Sequence, residues 1–378
     1  MTPRVLNFIS YSSPLAQSQT QALIDHVETH VDGVRCHLEI VAPPAPHSDN
    51  TDNVFVALSQ EQVHHCQQLI SAKPGKLVVM EASDLPMPLP EDLAIVCIPP
   101  RTPPYDAYLN RDDLLMDEME AGSTIGVMSL RLRSQMSALW PDLQFEILHG
   151  GIDRAMATHL QNAKLDGLVL PAAATEHLGI QGIVAEIYTP EFMLPSPGQG
   201  IVVVVGHRDD ENSTALLAEI HSGNTAIEFE TEKAFCSRMV SDQDLPVGVL
   251  AKVIGKQVII TGATGAGGQR VEVSGHTSEA EAVGSGLARQ LLCSGASFMD
   301  LLEAEFPDGL PDEPGDVEDE VQVDEDAAIL GKIDEDEEEV LEEGDFDDLE
   351  HMRALEDMAG IEDVPDDDGE DSEDELYD

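Results

Sequence analysis

The chain has 378 residues, 42% of them hydrophobic, which suffices for two or three packed domains, and a net charge of −55 at pH 7. From Pro307 onward 35 acidic residues face only Lys332 and Arg353, yet residues 1–306 are acidic as well, with 39 carboxylates against 17 basic residues. Such a surface repels phosphate backbones, which excludes nucleic acid as a ligand class. The start MTPRVLNFIS has neither a basic nor an apolar leader region, and the longest apolar run, Ile201 to Val205, is far too short to span a bilayer, so a cytoplasmic protein without a membrane segment is expected. Five cysteines, an odd number without CxxC, suit a reducing compartment and argue against zinc.

In chain order, VLNFISYSS reads as a strand ending in a polar turn, and SPLAQSQTQALIDHVETHV continues with apolar residues at helical spacing. Further strands are expected at CHLEIV, KLVVMEA, LAIVCI, STIGVM, LQFEIL, GLVLPA, IVVVVG and QVIITG. Helix-length segments such as QEQVHHCQQLIS and DRAMATHLQNA separate several of them, an alternation that favours α/β sheets. Two proline-rich crossings, 98–106 and 193–200, bracket a βα-patterned stretch and read as paired hinge strands between two lobes.

Beyond His221 a helix around TEKAFCSRMV, strands VGVLAKVIG, KQVIITG and RVEVSG, and a helix EAEAVGSGLARQLL predict a smaller α+β domain. The Gly-rich run ITGATGAGGQR lacks GK[ST] and precedes a strand, so a hairpin turn is expected rather than a phosphate loop. The expected organisation is therefore a first α/β lobe of residues 1–98 with 200–217, a second of 104–194, an α+β domain of 220–306 and an acidic tail of 307–378. The tail is too charged and too poor in aromatics to bury a core, so disorder is expected there. Within it Phe346, Leu349, Met352, Leu355, Met358 and Ile361 recur every three residues, which reads either as a recognition helix formed on a protein partner or as a spacer.

Several short signatures fall in a familiar order. They are Ser13-Pro14-Leu15-Ala16, Ser83-Asp84-Leu85-Pro86, Gly126 to Arg131, Pro141-Asp142-Leu143, Leu178-Gly179, Gly198-Gln199-Gly200, Glu232-Lys233-Ala234 and Pro246 with Gly248. Together they make residues 1 to about 305 resemble the porphobilinogen deaminase (hydroxymethylbilane synthase) family. The resemblance implies two periplasmic-binding-protein-like lobes around a cleft plus a small C-terminal α+β domain, and a monomer acting in tetrapyrrole, and hence haem, biosynthesis. It further implies a transferase that joins porphobilinogen units on a dipyrromethane cofactor held by a cysteine thioether.

On that resemblance Asp84 takes the place of the catalytic carboxylate, a group suited to moving protons and stabilising a transient cation. Ser13, Ser129, Arg131 and Arg154 take substrate-binding places. The departures are heavy. Gln243 stands at the cofactor-cysteine position, and an amide cannot act as the thiolate nucleophile. Cys236, seven residues upstream, sits in an expected helix and would point elsewhere.

Positions where the family carries cations for the acetate and propionate groups hold Tyr11, Ser83, Leu132, His149 and Ala155, and no Lys or Arg occurs between Arg35 and Lys73. A catalytically degenerate member without dipyrromethane is the expected reading. An active divergent synthase, or a module binding porphobilinogen or a related small carboxylated ligand and reaching partners through its tail, stand as alternatives. No metal site is expected, because His26 and His30 at i, i+4 lack a third ligand.

Overall fold

The computed structural model describes residues 4–42, 64–70, 75–85, 89–148, 151–153, 155–156, 165–239, 246–265 and 270–293, the side chains of Asp84 and Cys293 excepted. The expectations for Gln243, Arg154, His149 and the 307–378 tail lie outside the described residues.

Three sheets organise the chain. The first runs in the order β2-β1-β3-β10-β4, from β1 (Arg4–Tyr11), β2 (Val34–Val41), β3 (Lys76–Glu81), β4 (Leu93–Cys97) and β10 (Val202–His207). The second runs β7-β6-β8-β5-β9, from β5 (Asp106–Leu109), β6 (Thr124–Val127), β7 (Gln144–Ile147), β8 (Gly167–Pro171) and β9 (Val184–Tyr188). The two orders are the same pattern. Each has three parallel strands, then an antiparallel strand, then an antiparallel partner at the edge.

The antiparallel members β5 and β10 are the strands that enter and leave the second sheet's segment, so the chain crosses between two α/β lobes twice. The two crossings hold one another: the Thr102 amide donates to the Gly200 carbonyl at 2.9 Å. Gly200 has φ +77°, and an added Cβ would stand 2.5 Å from the Thr102 carbonyl oxygen, so only glycine permits that approach.

Parallel strands need crossover helices, and the sequence supplies well-capped ones. Helix α1 (Pro14–His30) begins with Ser13 as cap and a proline in its first turn, and buries Leu15, Thr20, Leu23, Ile24 and Val27 at helical spacing against β1 and β2. Helix α2 (Leu130–Leu139) follows β6 in the same way, capped by Ser129. A short helix, α3 (Ala172–His177), follows β8, and α4 (Glu211–Leu217), capped by Asp210, follows β10. The first lobe's cores lie on both faces of its sheet, around Leu6, Phe8, Leu77 and Val204 on one side and Ile9, Val78, Met80 and Val203 on the other. Alternate residues of β1, β3 and β10 thus face opposite cores, which is why these strands are apolar throughout.

The third sheet is a meander, β11 (Val247–Ile254), β12 (Gln257–Thr264) and β13 (Val271–His276), covered by α5 (Gly223–Met239) and α6 (Ala280–Cys293). Strands β12 and β13 pair antiparallel, so the Gly-rich run does connect a hairpin. The two helices touch closely at Gly284, where a Cβ would stand 2.0 Å from the Thr231 carbonyl oxygen.

Two strands were not foreseen. β5 is four residues, buried throughout and preceded by prolines, so it shows no alternation, and β9 is a half-exposed edge strand that follows a turn. The helix expected around TEKAFCSRMV is longer, starting at Gly223, because Thr225 and Phe229 pack inward ahead of that motif.

Candidate functional site

In sheets of this kind ligands are met at the carboxyl ends of the parallel strands. Both lobes present the same local design there. Ser13 follows β1 and its Oγ accepts from the Ala16 amide at 3.2 Å, and Ser129 follows β6 and its Oγ accepts from the Leu132 amide at 3.2 Å. Each serine therefore satisfies one free amide of its helix; the first turn of α2 has two more, those of Leu130 and Arg131, whereas in α1 Pro14 has no N–H and only the Leu15 amide remains. Asp84 ends a 3₁₀ turn (Ala82–Asp84) directly after β3, and that turn is tied to the hinge by the Ala82 amide donating to Ile201 at 2.8 Å.

Arg131, in the first turn of α2, is 4% exposed and sits in the hinge. Its Nη1 and Nη2 grip Asp106 Oδ2 and Oδ1 at 3.0 and 3.1 Å. Nε donates to Ser196 Oγ at 2.9 Å, Nη1 also to the Leu194 carbonyl at 2.8 Å, and Nη2 reaches Gln199 Oε1 at 3.5 Å. A guanidinium has five N–H groups, and here all five have protein acceptors.

A second arginine works beside it. Arg101 donates to Glu232 Oε1 at 2.7 Å and to the Gln199 carbonyl at 3.0 Å, while Glu232, 1% exposed, also accepts from the amides of Gly198 and Ala251 at 2.7 and 2.8 Å. Gln199 joins the two clusters, because its Nε2 donates to Asp106 Oδ1 and to the Tyr105 carbonyl, both at 3.0 Å. The hinge, both lobes and the third sheet meet on this network.

In front of it lies a small cavity lined from both lobes, with Gln19, Glu81, Thr102, Tyr105, His177 and Gln199 as its polar walls and no Lys or Arg among its lining residues. Glu81 accepts a hydrogen bond from Gln19 Nε2 and a long one from Ser83 Oγ at 3.5 Å. His177, at the end of α3, faces that carboxylate. Burial holds its pKa below the ordinary imidazole value, while Glu81 and Glu176 pull the other way. The cavity is thus rich in acceptors and carries a carboxylate, the wrong polarity for a ligand bearing several carboxylates.

The other substituted cation places are equally committed. The Tyr11 hydroxyl lies 3.5 Å from Cys66 Sγ, its ring stacks on His65 at 5.8 Å, and burial raises its pKa far above the ordinary phenol value. Leu132 and Ala155 are buried apolar residues. Cys236 packs against the core of the third sheet, and burial pushes its thiol up to about 12. Cys97 lies in the first lobe's core and is likewise raised to about 12. A thiol so protonated is a poor nucleophile.

Sequence reasoning placed Ser13, Ser129 and the backbone of Asp84 at the strand ends, named Glu232 only as part of a signature without a role, and left out Arg101, Asp106, Glu81 and His177. The proline-rich crossings signalled the hinge, and within the second the Gly198-Gln199-Gly200 motif signalled its tightest point, since glycines flanking a polar residue mark a close backbone approach.

A family model described as "Porphobilinogen deaminase, dipyromethane cofactor binding domain" matches residues 6–215, more than half of the chain. A porphobilinogen deaminase from Roseiflexus sp. (strain RS-1) is 33% identical over 222 residues, 58% of this chain and 73% of that protein. The chain belongs to the porphobilinogen deaminase family. Another relative, from Brevibacillus brevis (strain 47 / JCM 6285 / NBRC 100599), is 31% identical over 237 residues, 62% of this chain and 76% of its own length. Among solved structures, the Bordetella pertussis BvgS VFT2 domain is similar at 10% identity with a TM-score of 0.32, covering 62% of this chain and 92% of that one.

The family model names a dipyrromethane-binding domain, and the described residues fit that group only in part. The helix start at Ser129 offers two amides suited to a carboxylate, that at Ser13 only the amide of Leu15. Against that, Arg131 has no N–H to spare, the described residues lining the cavity include no Lys or Arg, Cys97 is buried in a core and Cys236 packs half-buried against another. Among the described residues no group of three metal ligands occurs, and no helix is long and apolar enough to cross a membrane.

Proposed function

We propose that this is a porphobilinogen deaminase-family protein that keeps the two-lobed binding frame of tetrapyrrole biosynthesis and has lost the polymerising chemistry. The observation that carries the reading is the assignment of the hinge arginines. Arg131 and Arg101 are consumed by Asp106 and Glu232, while the described residues lining the cavity between the lobes include Glu81 and no Lys or Arg. A growing chain with an acetate and a propionate on each ring needs several charge-assisted hydrogen bonds, each contributing roughly 1.5–3 kcal/mol. Gln243 at the cofactor-cysteine position agrees with this, since no thioether forms on an amide.

The proposal takes the domains as 1–98 with 200–217, 104–194 and 220–306, and the protein as a cytoplasmic monomer without dipyrromethane that accepts at most a small carboxylated ligand at the Ser13 and Ser129 helix ends. The 346–361 stripe is its candidate protein-binding segment. Activity is tested by incubating purified full-length protein with porphobilinogen in a coupled uroporphyrinogen assay. The expected rate equals the blank. Product formation would overturn the reading, and Asp84→Asn and Cys236→Ser would then show whether the carboxylate works and whether the anchorage has moved.

A further inference from the structure

Away from the cleft, the second lobe carries a cluster of three aromatic rings that neither the hinge nor the cavity uses. Trp140, directly after α2, Tyr188, at the end of β9, and Phe192, in the second crossing, form a nearly equilateral triangle with centroid separations of 5.7, 5.8 and 5.7 Å. Tyr188 is buried and forms the floor, whereas Phe192 is 46% exposed and Leu139, next to Trp140, is 43% exposed. Large apolar side chains gathered in this way at a surface are the composition of binding hot spots rather than of ordinary surface.

The cluster is held in place. Trp140 Nε1 donates to Asp117 Oδ1 at 2.6 Å, which fixes the indole. Arg270 of the third sheet donates to the carbonyls of Pro190 and Phe192, both at 2.8 Å, which fixes the loop that carries the phenyl ring. The Tyr188 hydroxyl donates to Glu186 Oε2 at 2.9 Å, and the same oxygen accepts from the Met116 amide at 2.8 Å. Rings already locked lose little entropy when a partner covers them.

The charge around the cluster selects the partner. Asp117, Glu118, Asp142, Glu186 and Glu191 belong to the segments that supply or brace the rings, and all but Glu186 are exposed. Residues 104–194 hold 13 acidic against five basic residues. Of those five, Arg131 is buried and Arg154 and Lys164 lie outside the described residues. Arg270 and Lys252 stand on the third sheet's side, the latter 4.0 Å from Glu191. A second copy of this acidic face would be repelled, and an acidic peptide likewise.

We infer that the Trp140–Tyr188–Phe192 cluster is a docking surface for a short basic amphipathic helix of another protein, whose apolar face covers Phe192 and Leu139 while its Lys and Arg residues meet the surrounding carboxylates. The inference is independent of whether the cleft is catalytic.

Trp140 is the chain's single tryptophan, so its emission reports on this surface alone. The full-length protein is titrated with a fluorescently labelled 14-residue Leu/Lys amphipathic peptide. Label anisotropy follows binding anywhere on the chain, and tryptophan emission follows coverage of the cluster. A saturable blue shift is expected, weakening with salt, absent with a Leu/Glu peptide of the same pattern, and weakened about tenfold in affinity by Phe192→Ser or Leu139→Ser, the loss typical of an interface anchor. Both positions are exposed, and an unchanged melt confirms that the variants fold. Anisotropy that saturates while the emission stays still, or equal affinity of both variants, overturns the proposal, since the peptide is then held by acidic charge elsewhere. An emission shift that grows with protein concentration without peptide also overturns it, in favour of a second copy as the occupant.

Discussion

The hinge and the cleft cavity lie side by side and treat charge in opposite ways. In the hinge the arginines are held by carboxylates: Arg131 on Asp106, and Arg101 on Glu232 with Glu228 3.9 Å away, while Gln199, Ser196 and main-chain groups take the remaining hydrogen bonds. In the cavity Glu81 stands with Gln19, Ser83 and a half-buried His177, and among the described residues no guanidinium or ammonium lines the space. The chain has used its scarce buried cations to fix the lobe geometry and left the ligand side acidic. Lobe geometry and the charge of the cavity wall thus rest on different residues of the chain.

The comparison breaks first at the hinge. Arg131→Met leaves Asp106 buried without a counter-charge, and removing one partner of such a pair costs about 3–5 kcal/mol. Thermal or denaturant unfolding is expected to register that loss, whereas Glu81→Gln, in the cavity, should change stability by less than about 0.5 kcal/mol. Equal effects at the two sites would erase the distinction.

Gly200→Ala forces a side chain into the 2.5 Å approach to Thr102 at a positive φ. The expected cost is of order 1–3 kcal/mol in the same melts.

The cavity side is sharpened by adding what it lacks. Glu81→Lys replaces a carboxylate with an ammonium on the wall facing His177, and calorimetric titration with porphobilinogen should then give tighter binding by roughly tenfold, about 1.4 kcal/mol. Unchanged or weaker binding would mean that ligand carboxylates do not approach this wall.

The smallest effect concerns pH. Burial lowers the His177 pKa in the folded protein below its unfolded value of 6.5. In the window beneath that value the unfolded chain binds more protons, so the stability tied to neutral His177 is fully present above about pH 6.5 and is lost as pH falls through the folded pKa. Melts recorded from pH 7.5 downward should decline less steeply for His177→Gln than for the natural chain. His26, whose pKa is lowered by burial and by His30, adds a contribution that this variant leaves in place.

Much of this architecture was legible because the signals were local. Alternation of apolar runs with capped helices gave the α/β lobes, Ser13 and Ser129 are both caps and strand-end residues, and the proline-rich crossings marked the hinge. β5 and β9 were not legible, since a four-residue strand buried on both faces has no period and the five residues VAEIY, entered straight from a 3₁₀ turn, show no clear alternation of apolar and polar positions. The Arg131–Asp106 and Arg101–Glu232 pairs were illegible for another reason. Their partners are 25 and 131 residues apart, and nothing in the spacing says that an arginine placed like a ligand clamp will turn into the hinge instead. Glu81 escaped notice because it ends a strand as an ordinary polar residue, and its importance comes from His177 on the opposite lobe.

The central claim, that the frame survives without its cofactor chemistry, is tested most directly by the intact mass of the full-length protein expressed in a host that makes porphobilinogen. The account predicts the mass of the bare polypeptide, unchanged after incubation with porphobilinogen. A species heavier by a covalently held dipyrromethane, removed by substituting one cysteine, would contradict it.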